Sequence, residues 1–121
     1  MAGTGAHMKI VALEEHFLTR DVRDAWAALA PAERDGSLTL FTDGEVGAML
    51  DDLSATRIAR MDASGVDLAV FSLTTPGVQN LDVSAAVPLA RRTNDLLAEA
   101  VRARPDRFGG FATLGGGRIT G

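Results

Sequence analysis

Apolar positions along this chain switch between two patterns, and the switching predicts its elements. Ile10-Val11-Ala12-Leu13 is an uninterrupted apolar run, as expected of a strand buried on both faces. Residues 66–73 repeat it through Leu68-Ala69-Val70-Phe71. Between the two runs, apolar residues recur at helical spacing. Residues 21–29 place Val22, Trp26 and Leu29 on one side, and residues 45–63 carry Val46, Met49, Leu50, Leu53, Ile58 and Met61. Residues 31–43 read as a loop holding a brief apolar run, Leu38-Thr39-Leu40-Phe41. Gly65 is a natural stop for the second helix, because glycine enters the left-handed region without a Cβ penalty.

Thr74-Thr75-Pro76-Gly77 ends the second strand with turn residues. A third helix is expected over 86–103, with Ala90, Leu97 and Val101 on one face, Pro88 in its first turn and Pro105 past its last. Residues 107–114 read as a third strand, in which Gly109 and Gly110 permit close backbone approach. Gly115-Gly116-Gly117 closes the pattern. Strand, helix, strand, helix, strand defines an α/β fold with parallel pairing. Such strands need helices on both faces or closure into a barrel.

Composition narrows the function classes. The 121 residues are 46% hydrophobic and 23% charged, an ordinary globular balance for one core. A formal charge of −4 gives no electrostatic footprint for nucleic acid. No apolar run reaches the roughly 20 residues of a membrane span, and no secretory signal is visible, so the cytoplasm is the default location. The chain has no cysteine, which removes disulfides and thiolate metal sites. Residues 1–8 read as a flexible leader or appended scar, so His7 is not counted as a ligand. Arg91, Arg92 and Arg104 read as a solvated helix face.

Candidate chemistry begins where the first strand ends. Alternation puts Ile10, Ala12, Glu14 and His16 on one face and Val11, Leu13 and Glu15 on the other. A carboxylate and an imidazole therefore leave the same face, where α/β proteins place their chemistry. Both side chains are metal-ligand types, yet Glu-x-His is a weak pattern without a third ligand. Solvated polar residues at a strand end would look the same. Ser72, Thr74 and Thr75 end the second strand on the same rim and suit either a substrate pocket or turn and cap roles. Phe17 is close enough to touch a ligand, although packing explains it and Trp26 as well. Asn94 and Asp95 fall mid-helix, where hydrogen bonding from helix to barrel is the expected role.

Several blocks are familiar in order: Val11-Ala12-Leu13-Glu14-Glu15-His16-Phe17; Arg57-Ile58-Ala59-Arg60-Met61-Asp62-Ala63-Ser64-Gly65-Val66-Asp67; and Phe71-Ser72-Leu73-Thr74-Thr75-Pro76-Gly77-Val78-Gln79. Ala90-Arg91-Arg92-Thr93-Asn94-Asp95-Leu96-Leu97-Ala98-Glu99 and Arg104-Pro105-Asp106-Arg107-Phe108-Gly109-Gly110-Phe111-Ala112-Thr113-Leu114 follow. Together they resemble the amidohydrolase-related metal-dependent decarboxylases, the group containing γ-resorcylate and 2,3-dihydroxybenzoate decarboxylases. The resemblance covers nearly all of residues 9–114.

The resemblance implies a (β/α)8 metal-dependent hydrolase barrel, of which residues 9–114 form the first three βα-type units. It implies that Glu14 and His16 are ligands of a divalent ion, zinc or manganese, and that the substrate is a hydroxylated aromatic carboxylate. In that family the other ligands, a histidine and an aspartate, come from later strands, and the late aspartate handles the proton as carbon dioxide leaves. No catalytic residue of that kind falls within this chain. Residues 115–121 depart from the family pattern and read as a truncation, an altered reading frame or a deliberate end.

Three expectations follow. The chain is the amino-terminal part of a metal-dependent carboxy-lyase, inactive alone; or of a hydrolase of a lactone or amide; or it is a non-catalytic remnant or partner-dependent subunit. Whether the chain is itself an enzyme stays open. No nucleic acid or membrane partner is expected. Two unpaired sheet edges would favour a homo-oligomer.

Overall fold

The computed structural model describes residues 8–34, 36 and 44–116. His7, the Leu38-to-Phe41 run and residues 117–121 lie outside the described residues. A parallel three-stranded sheet in the order β1-β2-β3 organises the rest: β1 Val11–Phe17, β2 Leu68–Leu73 and β3 Phe108–Gly110. Among the described residues four helices connect the strands: α1 Arg20–Ala27, α2 Gly44–Asp51, α3 Ala55–Ser64 and α4 Val83–Ala103. A short 3-10 turn, Pro31–Glu33, follows α1. Among the described residues no helix is long and apolar enough to cross a membrane.

Local chemistry sets most boundaries. Thr19 caps α1 by accepting the Val22 N–H at 3.2 Å. The single helix expected over 45–63 is two helices, because residues 52–54 break it. The Asp52 carboxylate accepts the Ser54 N–H at 2.9 Å and the Ser54 hydroxyl, while Ser54 caps α3. These local bonds compete with helix continuation. Gly65 ends α3 at φ 77°, with its N–H on Asp62 and that of Val66 on Met61. Helix α4 starts three residues earlier than expected, so Pro88 lies inside it rather than in its first turn. Pro88 and Ser84 are exposed, so water can serve the Ser84 carbonyl that proline leaves without a donor.

The core has two parts. Phe17, Met61, Ala69, Phe71, Leu97 and Phe108 fill the layer between the sheet and helices α3 and α4. Phe71 and Phe108 meet edge to face at 5.1 Å. Leu18, Val22, Trp26, Val78, Leu81, Ala86, Leu89 and Ala90 form the second cluster, beyond the carboxyl ends of the strands. Trp26 is fully enclosed there, with its indole N–H donating to the Gly77 carbonyl at 2.8 Å.

Helices cover one face of the sheet, and this corrects the expectation of a first strand buried on both faces. Ile10, Val11 and Leu13 are exposed, Leu13 at 61%. Among the described residues nothing packs over that face, so an apolar strand stays half open. Val46 and Met49, expected on a buried stripe, are also exposed. The third strand is shorter than the expected 107–114, because its pairing with β2 stops near Gly110. Phe111 still donates to the Phe71 carbonyl at 2.9 Å, and the chain then continues outside regular structure.

At the amino-terminal end of the sheet, Arg107 closes the α3–β2 turn. Its guanidinium donates to the Asp67 carbonyl at 2.8 Å and the Val66 carbonyl at 3.1 Å, and pairs with Asp62 at 2.6 Å. The Ile10 N–H adds a 2.7 Å bond to the Asp67 carboxylate. In (β/α)8 barrels, which the sequence resembles, that end of the strands serves stability and the other end serves chemistry.

Candidate metal half-site at the end of the first strand

Register fixes which side chains share a face. Ala12 pairs with Ala69 and Glu15 with Phe71, so Leu13 and Glu14 together stand against Val70. This is a β-bulge, and it reverses the alternation of the strand. Glu15 therefore joins Ala12 and Phe17 on the helix-covered face, while Val11, Leu13, Glu14 and His16 occupy the open one. The extra residue is the reason that the faces expected from strict alternation do not hold: Ala12 does not share a face with Glu14 and His16, nor Glu15 with Val11 and Leu13. Glu14 and His16 are exposed, and among the described residues neither side chain is bonded to another group.

The rim residues divide. Ser72 is the register partner of His16 and shares its face, half-buried. Thr75 is exposed in the turn that follows, whose Thr75–Pro76 bond is cis. Phe17 is directed away from His16 into the core, only 2% exposed. Thr74 is buried, and its hydroxyl and N–H both donate to the Phe17 carbonyl, at 3.0 and 2.9 Å.

The residue that composition and spacing did not single out is Arg57. It is 8% exposed on α3, under the end of β1. Its guanidinium donates to the His16 carbonyl at 2.8 Å and the Asp52 carbonyl at 3.1 Å, and lies 3.8 Å from the Glu15 carboxylate. It also sits 4.9 Å over the Phe71 ring. Burial pushes the Arg57 pKa below its usual value, while Glu15 and Asp52 pull it up and Arg60 pushes it down. A sequence signal existed: Arg57 stands four residues before Met61 on the buried side of α3, where an apolar residue is expected.

A parallel βα sheet of this kind is the arrangement found in the first units of a (β/α)8 barrel, and Glu14 and His16 stand at the carboxyl end of its first strand. Comparison with known proteins makes this more particular. No family model matches the chain. The chain is 39% identical over 105 residues to the γ-resorcylate decarboxylase of Rhizobium radiobacter, covering 86% of itself and 30% of that protein. It is 37% identical over the same length to the γ-resorcylate decarboxylase of Rhodococcus jostii.

Among solved structures, it superposes on the 5-carboxyvanillate decarboxylase of Novosphingobium aromaticivorans with a TM-score of 0.78 at 36% identity. That match covers 88% of this chain and 34% of the other, which was crystallised with manganese and 4-hydroxy-3-methoxy-5-nitrobenzoic acid. The 2,6-dihydroxybenzoate decarboxylase from Rhizobium gives a TM-score of 0.67 at 34% identity, over 90% of this chain and 31% of the other. The chain thus spans about a third of the length of these relatives. It corresponds to the amino-terminal part of amidohydrolase-related decarboxylases.

Proposed function

We propose that the carboxyl end of β1 is one half of a divalent-metal site, belonging to a carboxy-lyase that acts on a hydroxylated aromatic carboxylate. The supporting observation is the common placement of Glu14 and His16 on the open face, both unengaged and level with Ser72. Carboxylate oxygen and imidazole nitrogen suit manganese or zinc. The donor set therefore fits the ion seen in the manganese-bound relative. Glu14 and His16 would hold such an ion, which when bound acts as a Lewis acid toward a carboxylate and an ortho hydroxyl.

The remaining roles fall to residues of this chain that reach the same face. Ser72 and Thr75 keep a substrate-binding role, since their hydroxyls are at the rim. Phe17 and Thr74 support the rim from inside the packing. Two donors hold a divalent ion loosely, because catalytic sites commonly use three protein ligands. The chain by itself would therefore not turn over substrate.

The test is carbon dioxide release from 2,6-dihydroxybenzoate by the pure 121-residue chain with Mn²⁺, run beside metal binding. Binding that is lost in His16→Ala, with no turnover, is the expected result. Turnover abolished by His16→Ala would overturn the half-site reading, and Mn²⁺ binding indifferent to His16→Ala would remove the metal reading altogether.

A further inference from the structure

We propose that Arg57 is a positioning residue for the metal half-site: it fixes the end of β1 so that Glu14 and His16 are held as a pair. The inference rests on the metal reading of those two side chains. Its own basis is separate and geometric. Glu14 and His16 lie where a bulge has broken the regular ladder between β1 and β2, at a strand edge with no further strand beside it among the described residues. A strand end of that kind would otherwise be free to shift its register or twist.

One guanidinium removes that freedom from the covered side. Its Nη2 donates to the His16 carbonyl, its Nε to the Asp52 carbonyl and its Nη1 faces the Glu15 carboxylate. The Phe71 ring closes the remaining face of the cation. Arg57 thus bonds the backbone of one donor residue and pairs with the side chain between the two donors. The planar fork of arginine serves these directions at once, which the single ammonium of lysine does not. No other described side chain hydrogen-bonds the backbone of residues 14–16.

Charge adds to the effect. Glu14 and Glu15 are adjacent, and Arg57 engages Glu15 on the helix side. Glu14 is left facing the open side, where a cation would approach. Partners that orient metal ligands in this indirect way are typically worth about ten- to a hundredfold in metal affinity.

The test uses the 121-residue chain with Mn²⁺ alone as the probe and proton NMR of its two histidines as the readout. Mn²⁺ should broaden the ring signals of His16 well before those of His7. In Arg57→Lys and Arg57→Gln the concentration needed should rise by roughly tenfold. Arg107→Lys, which loosens the opposite end of the sheet, should leave it unchanged. Equal broadening of both histidines in the unaltered chain would defeat the metal reading itself. Selective broadening of His16 that is the same in the folded Arg57 variants would defeat only the positioning role.

A second measurement needs no variant. The Arg57 Nε–H signal should exchange with solvent far more slowly than those of exposed arginines such as Arg91, and an equal rate overturns the clamp.

Discussion

Asn94 on α4 holds both backbone groups of Thr113: its amide nitrogen donates to the Thr113 carbonyl at 2.9 Å, and its amide oxygen accepts the Thr113 N–H at 2.8 Å. The side chain stands where the backbone of a neighbouring strand would. It thereby ties the segment after β3 to the helix, once pairing with β2 has ended. Asn94→Ala would leave two backbone groups without these partners, at a cost of about 1–3 kcal/mol. Asn94→Asp keeps the acceptor and loses the donor, so it should cost less than alanine. Denaturant midpoints of the three proteins check the order, with faster amide exchange at Thr113 as the local sign.

The two glycines of β3 should respond differently to a single methyl group. A Cβ on Gly110 would lie 2.5 Å from Leu97 Cδ2 and 2.9 Å from its Cγ, and Leu97 is buried. A Cβ on Gly109 would meet Val70 Cγ2 at 3.5 Å, an ordinary contact. Gly110→Ala should therefore destabilise by about 1–3 kcal/mol, the usual range for overpacking. Gly109→Ala should stay within about 1 kcal/mol of the parent, since a strand gains from alanine over glycine. Thermal unfolding of both variants decides it.

The side chains of Glu14 and His16 are exposed and bonded to no other described group, so the fold does not depend on those side chains. Glu14→Gln and His16→Ala should each change stability by no more than about 0.5 kcal/mol, as for other surface substitutions. Glu14→Gln should nonetheless abolish selective Mn²⁺ broadening of the His16 ring, and His16→Ala should abolish Mn²⁺ binding at the end of β1. A large loss of stability in either variant would mark the residue as structural. Chemical denaturation beside a Mn²⁺ titration separates the two outcomes.

Much of the architecture was legible in the chain because short-range physics carries it. Apolar runs marked β1 and β2, helical spacing placed Val22 and Trp26 inward, and Gly65 announced the end of α3. Of the two mid-helix residues expected to bond from helix to barrel, Asn94 bonds the segment that follows β3, while Asp95 is exposed and makes no such bond among the described residues. The break at Asp52 and Ser54 was missed, because apolar spacing on either side continued across it. Arg57 was missed for a related reason: a charged residue on a helix reads as solvated until a strand end and an aromatic ring are brought against it.

The sequence by itself determined most element types, their parallel α/β order and the carboxylate and imidazole pair, Glu14 and His16. Those properties follow from periodicity and side-chain chemistry within a few residues. Tertiary structure decided which side chains face which way. Pairing β1 with β2 placed Leu13 and Glu14 against the single Val70, sent Glu15 and Phe17 to the covered face, and left Ser72 beside His16. It also brought Arg57, distant by 41 residues, onto the His16 carbonyl. A strand's register and the partners of a buried charge are set between segments, so no local pattern can encode them.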